Sequence, residues 1–121
     1  MLMEEKYSPT TQKEIDIIIQ YLDQWNNLFS IEINYYFEGW SISLREKTVY
    51  PRYIVIFKAY DQKSYSIRSF EIHYNQIGKE HLKDLYFNDN IISVKILKNE
   101  IRNILYGKDI IESVGDEKFK T

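Results

Sequence analysis

The chain contains no cysteine, which removes disulfides, thiol nucleophiles and thiolate metal sites together. Four glycines among 121 residues are too few for the usual phosphate-cradling loop, and no serine stands in a G-x-S-x-G elbow. The two histidines, His73 and His81, lack a sequence-defined third ligand, although Glu71 lies two residues from His73 and Glu80 and Asp84 flank His81. The carboxylates Asp109, Glu112, Asp116 and Glu117 lack the glycine and alternating oxygens of a calcium loop. No enzyme activity, cofactor or metal is therefore expected. No apolar run reaches membrane-spanning length, and the opening MLMEEKYSP has neither the basic flank nor the apolar core of a signal peptide. A cytoplasmic protein without a membrane partner is the expectation.

What the chain has in excess is tyrosine, 11 residues against 6 phenylalanines, so many of its rings carry a hydroxyl that needs a partner. Lysine outnumbers arginine, and Ala59 is the single alanine. With abundant isoleucine and asparagine, this bias points to an A/T-rich genome, such as a low-G+C bacterium, a phage or another mobile element. The formal charge of −2 and a pI near 5.7 weigh against nonspecific phosphate binding.

The length and a 44% hydrophobic content fit one globular domain over residues 1–121, with 1–7 and about 115–121 expected to be flexible. Ser8 and Pro9 form a cap-and-first-turn signal, and Ile15, Ile18, Ile19, Leu22, Trp25 and Phe29 then recur at helical spacing. The stretch IEINYYFEGWSISL, Ile31 to Leu44, reads as a hairpin turning at Glu38-Gly39. That register sets Phe37 opposite Trp40, Tyr35 opposite Ile42 and Ile33 opposite Leu44 on a core face. RYIVIFKAY and YSIRSFEIHY supply two more strands, with Tyr53, Val55 and Phe57 assigned to the core. Ile54 and Ile56 then fall on the second face, which calls for cover there. QIGKEHLKDLYF, with Ile77, His81, Leu82, Leu85 and Tyr86 on one side, and SVKILKNEIRNILYG read as helices, with Ser93 a cap and Gly107 a stop. A short fifth strand over residues 91–97 is the alternative to the start of this second helix. The predicted fold is α+β: an N-terminal helix on a four-stranded antiparallel meander, followed by two C-terminal helices.

The back of the hairpin, Asn34, Tyr36, Ser41 and Ser43 with Arg45 at its edge, has no evident folding duty. Its tyrosine and small polar residues have the chemistry of evolved recognition surfaces. The favoured expectation is a small protein-binding module, in its specific form a phage or mobile-element inhibitor or immunity protein acting on a bacterial nuclease or defence protein. Asp16 and Asp23 on the first helix offer an acidic alternative surface. A second class is a single-strand nucleic-acid binder that stacks bases on Tyr36, Tyr60 or Tyr65 and holds phosphates with Arg45, Arg52, Lys58 and Arg68. A third is a structural homodimer joined through the apolar second face; both monomer and homodimer fit the sequence.

Overall fold

A computed structural model of the chain describes residues 9–113, with side chains described through residue 106. Helix α1 spans Pro9–Leu22 and tightens into a 3-10 turn at Asp23–Trp25. Five strands follow: β1 Phe29–Tyr35, β2 Gly39–Glu46, β3 Arg52–Ala59, β4 Tyr65–Tyr74 and β5 Glu80–Ile91. Helix α2, Val94–Ser113, closes the described chain. The strands form one antiparallel sheet in sequence order, each hydrogen-bonded to its neighbours in the chain.

Both helices lie on the same side of this sheet. Ile15, Ile18 and Leu22 of α1 share one buried cluster with Trp40, Ile42 and Leu44 of β2, Ile54 and Ile56 of β3, Ile67 of β4, and Leu97 and Ile101 of α2. Burying each of these large side chains contributes about 1.5 to 3 kcal/mol, so the cluster dominates the stability of the fold. The 3.6-residue spacing of α1 is thus a true core stripe, extended by Trp25 in the 3-10 turn and by Phe29 in β1.

The hairpin register differs from the expected one by two residues. Tyr35 pairs with Trp40, Asn34 with Ser41 and Ile33 with Ile42, so the turn falls at Phe37-Glu38, closed by a 2.7 Å bond from the Tyr36 N–H to the Gly39 carbonyl. Phe37 sits at the tip and is 75% exposed rather than buried. Gly39 is needed inside the strand: a Cβ there would lie 2.2 Å from the Lys58 carbonyl oxygen. The close approach of β3, and not the turn, accounts for the glycine.

The faces of β3 are also the reverse of the expected ones. Ile54 pairs with Leu44 and Ile56 with Ile42, which puts both isoleucines under the helices and turns Tyr53, Val55 and Phe57 outward. The charged ends of the strand explain the choice. Arg52 and Lys58 share the parity of Ile54 and Ile56, and on the helix side they meet Glu46 and Glu14 at 3.6 and 2.7 Å.

The largest correction concerns the C-terminal third, where the sheet has a fifth strand and one helix replaces the expected two. Residues expected as a helix from Gln76 instead turn and pair with β4. Asn75 makes the turn: its Oδ1 accepts from the N–H groups of Ile77 and Lys79, its carbonyl accepts from Gly78, and Gly78 takes φ +83°. The open backbone edge of β4 then outweighs local helical spacing, and Leu82 falls opposite Ile72. Register shifts beside Ile67 and Phe70 mark bulges in this pairing, leaving Leu85 as an extra residue of β5. Beyond the Arg52–Glu71 pair, the β4–β5 ribbon continues without a third strand.

Ser93 caps α2, its Oγ accepting from the Ile96 N–H at 3.1 Å, so Val94 and Ile96 are helical and the strand stops at Ile91. The helix runs through Gly107 without stopping. The Ser8 cap and the two expected flexible ends, 1–7 and about 115–121, lie outside the described residues.

Candidate functional site

With both helices on one side, the other side of the sheet has no covering element among the described residues. Its surface can be read row by row from the strand pairing. One row crosses Arg45, Tyr53, Phe70 and Asp84; the next crosses Glu32, Ser43, Val55, Arg68 and Phe87; the third crosses Asn34, Ser41, Phe57 and Ser66. The β1–β2 half is flat and small, and the β3–β5 half is bulky and aromatic.

The rings are held in fixed positions. Tyr53 and Phe70 stack at 5.1 Å with planes 5° apart. Arg45 lies 5.9 Å over Tyr53 and donates its Nε–H to the Tyr53 hydroxyl at 2.9 Å. Arg68 lies 4.9 Å over Phe70, and its Nε and Nη2 donate to the same oxygen of Asp84, at 3.0 and 2.7 Å. The result is a pair of stacked rings clamped between two guanidinium groups across β2, β3 and β4, with each contact favourable beyond its buried area. At the far end Tyr36 folds over the sheet. Its hydroxyl accepts from Ser41 Oγ at 3.3 Å, its ring meets Phe57 at 6.4 Å, and Ser41 is buried beneath it.

The structure therefore brings Asn34, Tyr36, Ser41, Ser43, Arg45 and Arg68 onto one face. The other alternative residues lie elsewhere. Asp16 and Asp23 are exposed on α1 and the 3-10 turn, Asp16 accepting from Gln12 and Asp23 from Asn26. Arg52 and Lys58 are on the helix side, where Arg52 also donates to the Ile104 carbonyl at 3.2 Å. Tyr60 is half-buried beyond β3, and Tyr65 is buried in the core cluster. Sequence reasoning missed this aromatic set for two reasons: the reversed parity of β3 hides Tyr53 and Phe57 and the row they share with Phe70, and the helical reading of residues 76–87 hides Phe87 on β5. The signal that identifies the β3 rings is the charged pair Arg52 and Lys58, which shares a face with Ile54 and Ile56 and so turns the intervening aromatics outward.

Two polar clusters lie on the helix side. Glu14 accepts from Lys58 Nζ at 2.7 Å and from the Tyr65 hydroxyl, and Lys58 lies 5.1 Å over the Tyr65 ring. The Tyr65 hydroxyl is held well above the ordinary tyrosine range, by burial first, then by its bond to Glu14 and the charge of that carboxylate. An unfolded tyrosine ionises near about pH 10, so above that the unfolded chain releases a proton that folded Tyr65 retains. This contribution to stability is complete below about pH 10 and falls as pH rises toward the folded value. Denaturant unfolding between about pH 8 and about pH 11 is expected to show the loss, and Tyr65→Phe to lose less over the same range. An equal slope in the variant rules out the coupling.

Trp25 donates its indole N–H to the Tyr106 hydroxyl beside a cavity of about 140 Å³ lined by Phe29, Glu46, Arg52 and Leu105. That volume is below the roughly 300 Å³ at which small-molecule sites begin. On the ribbon, His73 Nε2 meets Glu71 at 2.9 Å and the His81 ring stacks on His73 at 5.7 Å. Among the described residues no group of three or more His, Asp or Glu is placed to hold a metal ion, and no helix is long and apolar enough to cross a membrane. Comparison of the chain with protein-family models, curated proteins and solved structures finds no match.

Proposed function

We propose that the protein is a non-catalytic recognition module whose interface is the open face of the sheet and whose partner is a protein surface. The observation that carries this reading is the ordered ladder of Arg45, Tyr53, Phe70 and Arg68 on a face that no helix covers among the described residues. A solvated antiparallel sheet face is ordinarily polar, whereas this one presents rigid aromatic rings beside small hydroxyls, the composition of an interface centre. An inhibitor or immunity role against a bacterial nuclease or defence protein is the specific form of the proposal.

The charge distribution favours a protein partner over a nucleic acid. Arg45 and Arg68 on the open face are offset by Glu32 and Asp84, while Arg52 and Lys58 are engaged on the opposite side. Phosphate binding needs a net positive footprint, and this face is balanced.

The test compares wild type with Tyr36→Ala, first as bait in a host lysate and then in titration of the purified partner at two salt concentrations. Tyr36 is 45% exposed, so truncation is expected to leave the melting temperature nearly unchanged while weakening binding about tenfold. Full affinity in the variant moves the interface elsewhere, and affinity for an oligonucleotide that falls steeply with salt replaces the partner class.

A further inference from the structure

We infer that the outer edge of β1 is a separate docking surface, whose occupant is an extended segment of a partner protein, apolar on one side and basic on the other, added to the sheet as a further strand. The inference concerns main-chain groups rather than the open face, and goes beyond the recognition reading by naming how a partner attaches at this edge. β1 is an outer strand of the sheet. The Lys47 N–H donates to the Leu28 carbonyl at 2.9 Å and the Tyr36 N–H to the Gly39 carbonyl at 2.7 Å, both in the register of the β1–β2 pairs. Bonded pairs recur at every second residue of an antiparallel ladder, so Ser30, Glu32 and Asn34 bond β2, and the N–H and C=O groups of Ile31, Ile33 and Tyr35 point away from it. Among the described residues, those of Ile31 and Ile33 have no hydrogen-bond partner. A row of alternating backbone donors and acceptors is complementary to the backbone of another extended chain.

The edge lacks the devices that keep sheet edges unoccupied. FSIEINY contains no proline, lysine or arginine, its one charge is Glu32, and its register with β2 is unbroken. The other outer strand, β5, carries Lys83 and pairs with β4 through register shifts, which twist its backbone away from a flat ladder. The two edges of one sheet are thus built differently, and β1 is the receptive one.

The side chains beside the edge specify the incoming strand. Ile33, Ile42, Ile56 and Ile67 form one row across β1 to β4 on the helix side; the last three are fully buried, whereas Ile33 is 37% exposed. In antiparallel pairing, the more stable per residue, an apolar residue opposite Ile33 extends that row. On the open side Glu32 faces Ser43, and among the described residues it has no cation within ion-pairing distance. A lysine or arginine on the added strand supplies one. A second copy of the chain is a poorer occupant. Pairing β1 with itself about Ile31, Glu32 or Ile33 sets the two Glu32 carboxylates opposite each other or on the adjacent diagonal, with no cation on either strand to offset them.

The test titrates capped peptides, alternating valine with lysine or valine with glutamate, into the purified full chain and follows its amide resonances by heteronuclear NMR. The lysine peptide is expected to shift the amides of Ile31 and Ile33 and to bind about tenfold more tightly than the glutamate peptide. N-methylation of its valines, which removes the donors facing β1, is expected to abolish binding. Ile33→Pro deletes one outward N–H without touching a bond to β2, and is expected to weaken the lysine peptide about tenfold. Glu32→Lys is expected to reverse the preference between the two peptides; Glu32 is exposed, so this variant keeps the test decisive should the proline unfold the chain. Circular dichroism melts confirm that each variant is folded. A lysine peptide that does not bind at millimolar concentration overturns the inference, as does binding that neither variant changes. Shifts at Ile31 and Ile33 that depend on protein concentration without peptide give the edge to a second copy and overturn the assigned occupant. Tyr36→Ala, on the open face, is expected to bind the peptide as wild type does, so the two readings fail independently.

Discussion

Replacing Trp40 by alanine is expected to destabilise the protein by about 3 to 5 kcal/mol, as large aromatic deletions in cores do. Trp40 is 1% exposed and sits on the helix side of β2, with Tyr35 and Lys58 as its strand partners. Its ring meets Tyr65 edge-on at 6.2 Å. Truncation leaves a void below α1 that the neighbouring isoleucines are too rigid at χ1 to fill, so the loss combines transfer and cavity costs. Thermal and denaturant unfolding provide the measurement, with a fall in melting temperature of roughly 10 to 20 °C for a domain of this size. An unchanged melting temperature would remove Trp40 from the core and with it the pairing of β1 with β2.

The second large effect is electrostatic. Glu14 is in contact with both Lys58 and Tyr65, and the Glu14 and Lys58 side chains are each only 18% exposed. Glu14→Ala strands a cation beneath α1 and removes the acceptor of a buried hydroxyl; the expected cost is about 2 to 4 kcal/mol, below that of a fully buried pair because some water still reaches these groups. Glu14→Gln retains an acceptor for Tyr65 and is expected to cost less. Pairing it with Lys58→Met, which keeps the length of the stem without its charge, is expected to recover much of the loss. Equilibrium unfolding of the two single variants and the double variant closes the cycle. Strict additivity would show that Lys58 and Glu14 do not couple and that the cluster contributes only packing.

The sequence made some elements legible because their signal is local. The apolar residues of α1 recur every three or four positions, and Ser93 sits where a cap must be, so both are readable without knowing the fold. Alternation in the first hairpin correctly grouped Asn34, Ser41, Ser43 and Arg45 on one face, since a two-residue shift of register preserves parity. The shift itself was hidden, because Gly39 resembles a turn residue and only the approach of Lys58 from β3 reveals its other use. In β3 both alternations are apolar, and the choice between them is made by Glu14 and Glu46, distant in sequence or beyond a loop. β5 was illegible for a similar reason: Leu82, Leu85 and Tyr86 satisfy helical spacing, and what makes them extended is the unpaired edge of β4. Half of the candidate site thus followed from parity, while the aromatic half depended on contacts that no window of sequence contains.

The meander has a consequence for the order in which the molecule assembles. Each strand pairs with the next across a short connection, so closing any one hairpin sacrifices little chain entropy and the sheet can grow from any of its four turns. The helices are bound by different terms. Trp25 and Tyr106 are 81 residues apart, and the contact between α1 and α2 encloses the whole sheet in its loop. This long closure is favourable only once the strands have brought the ends of the chain together. The helix layer is therefore expected to lock last, and the indole of Trp25, seated at that seam, is the natural optical reporter of that step.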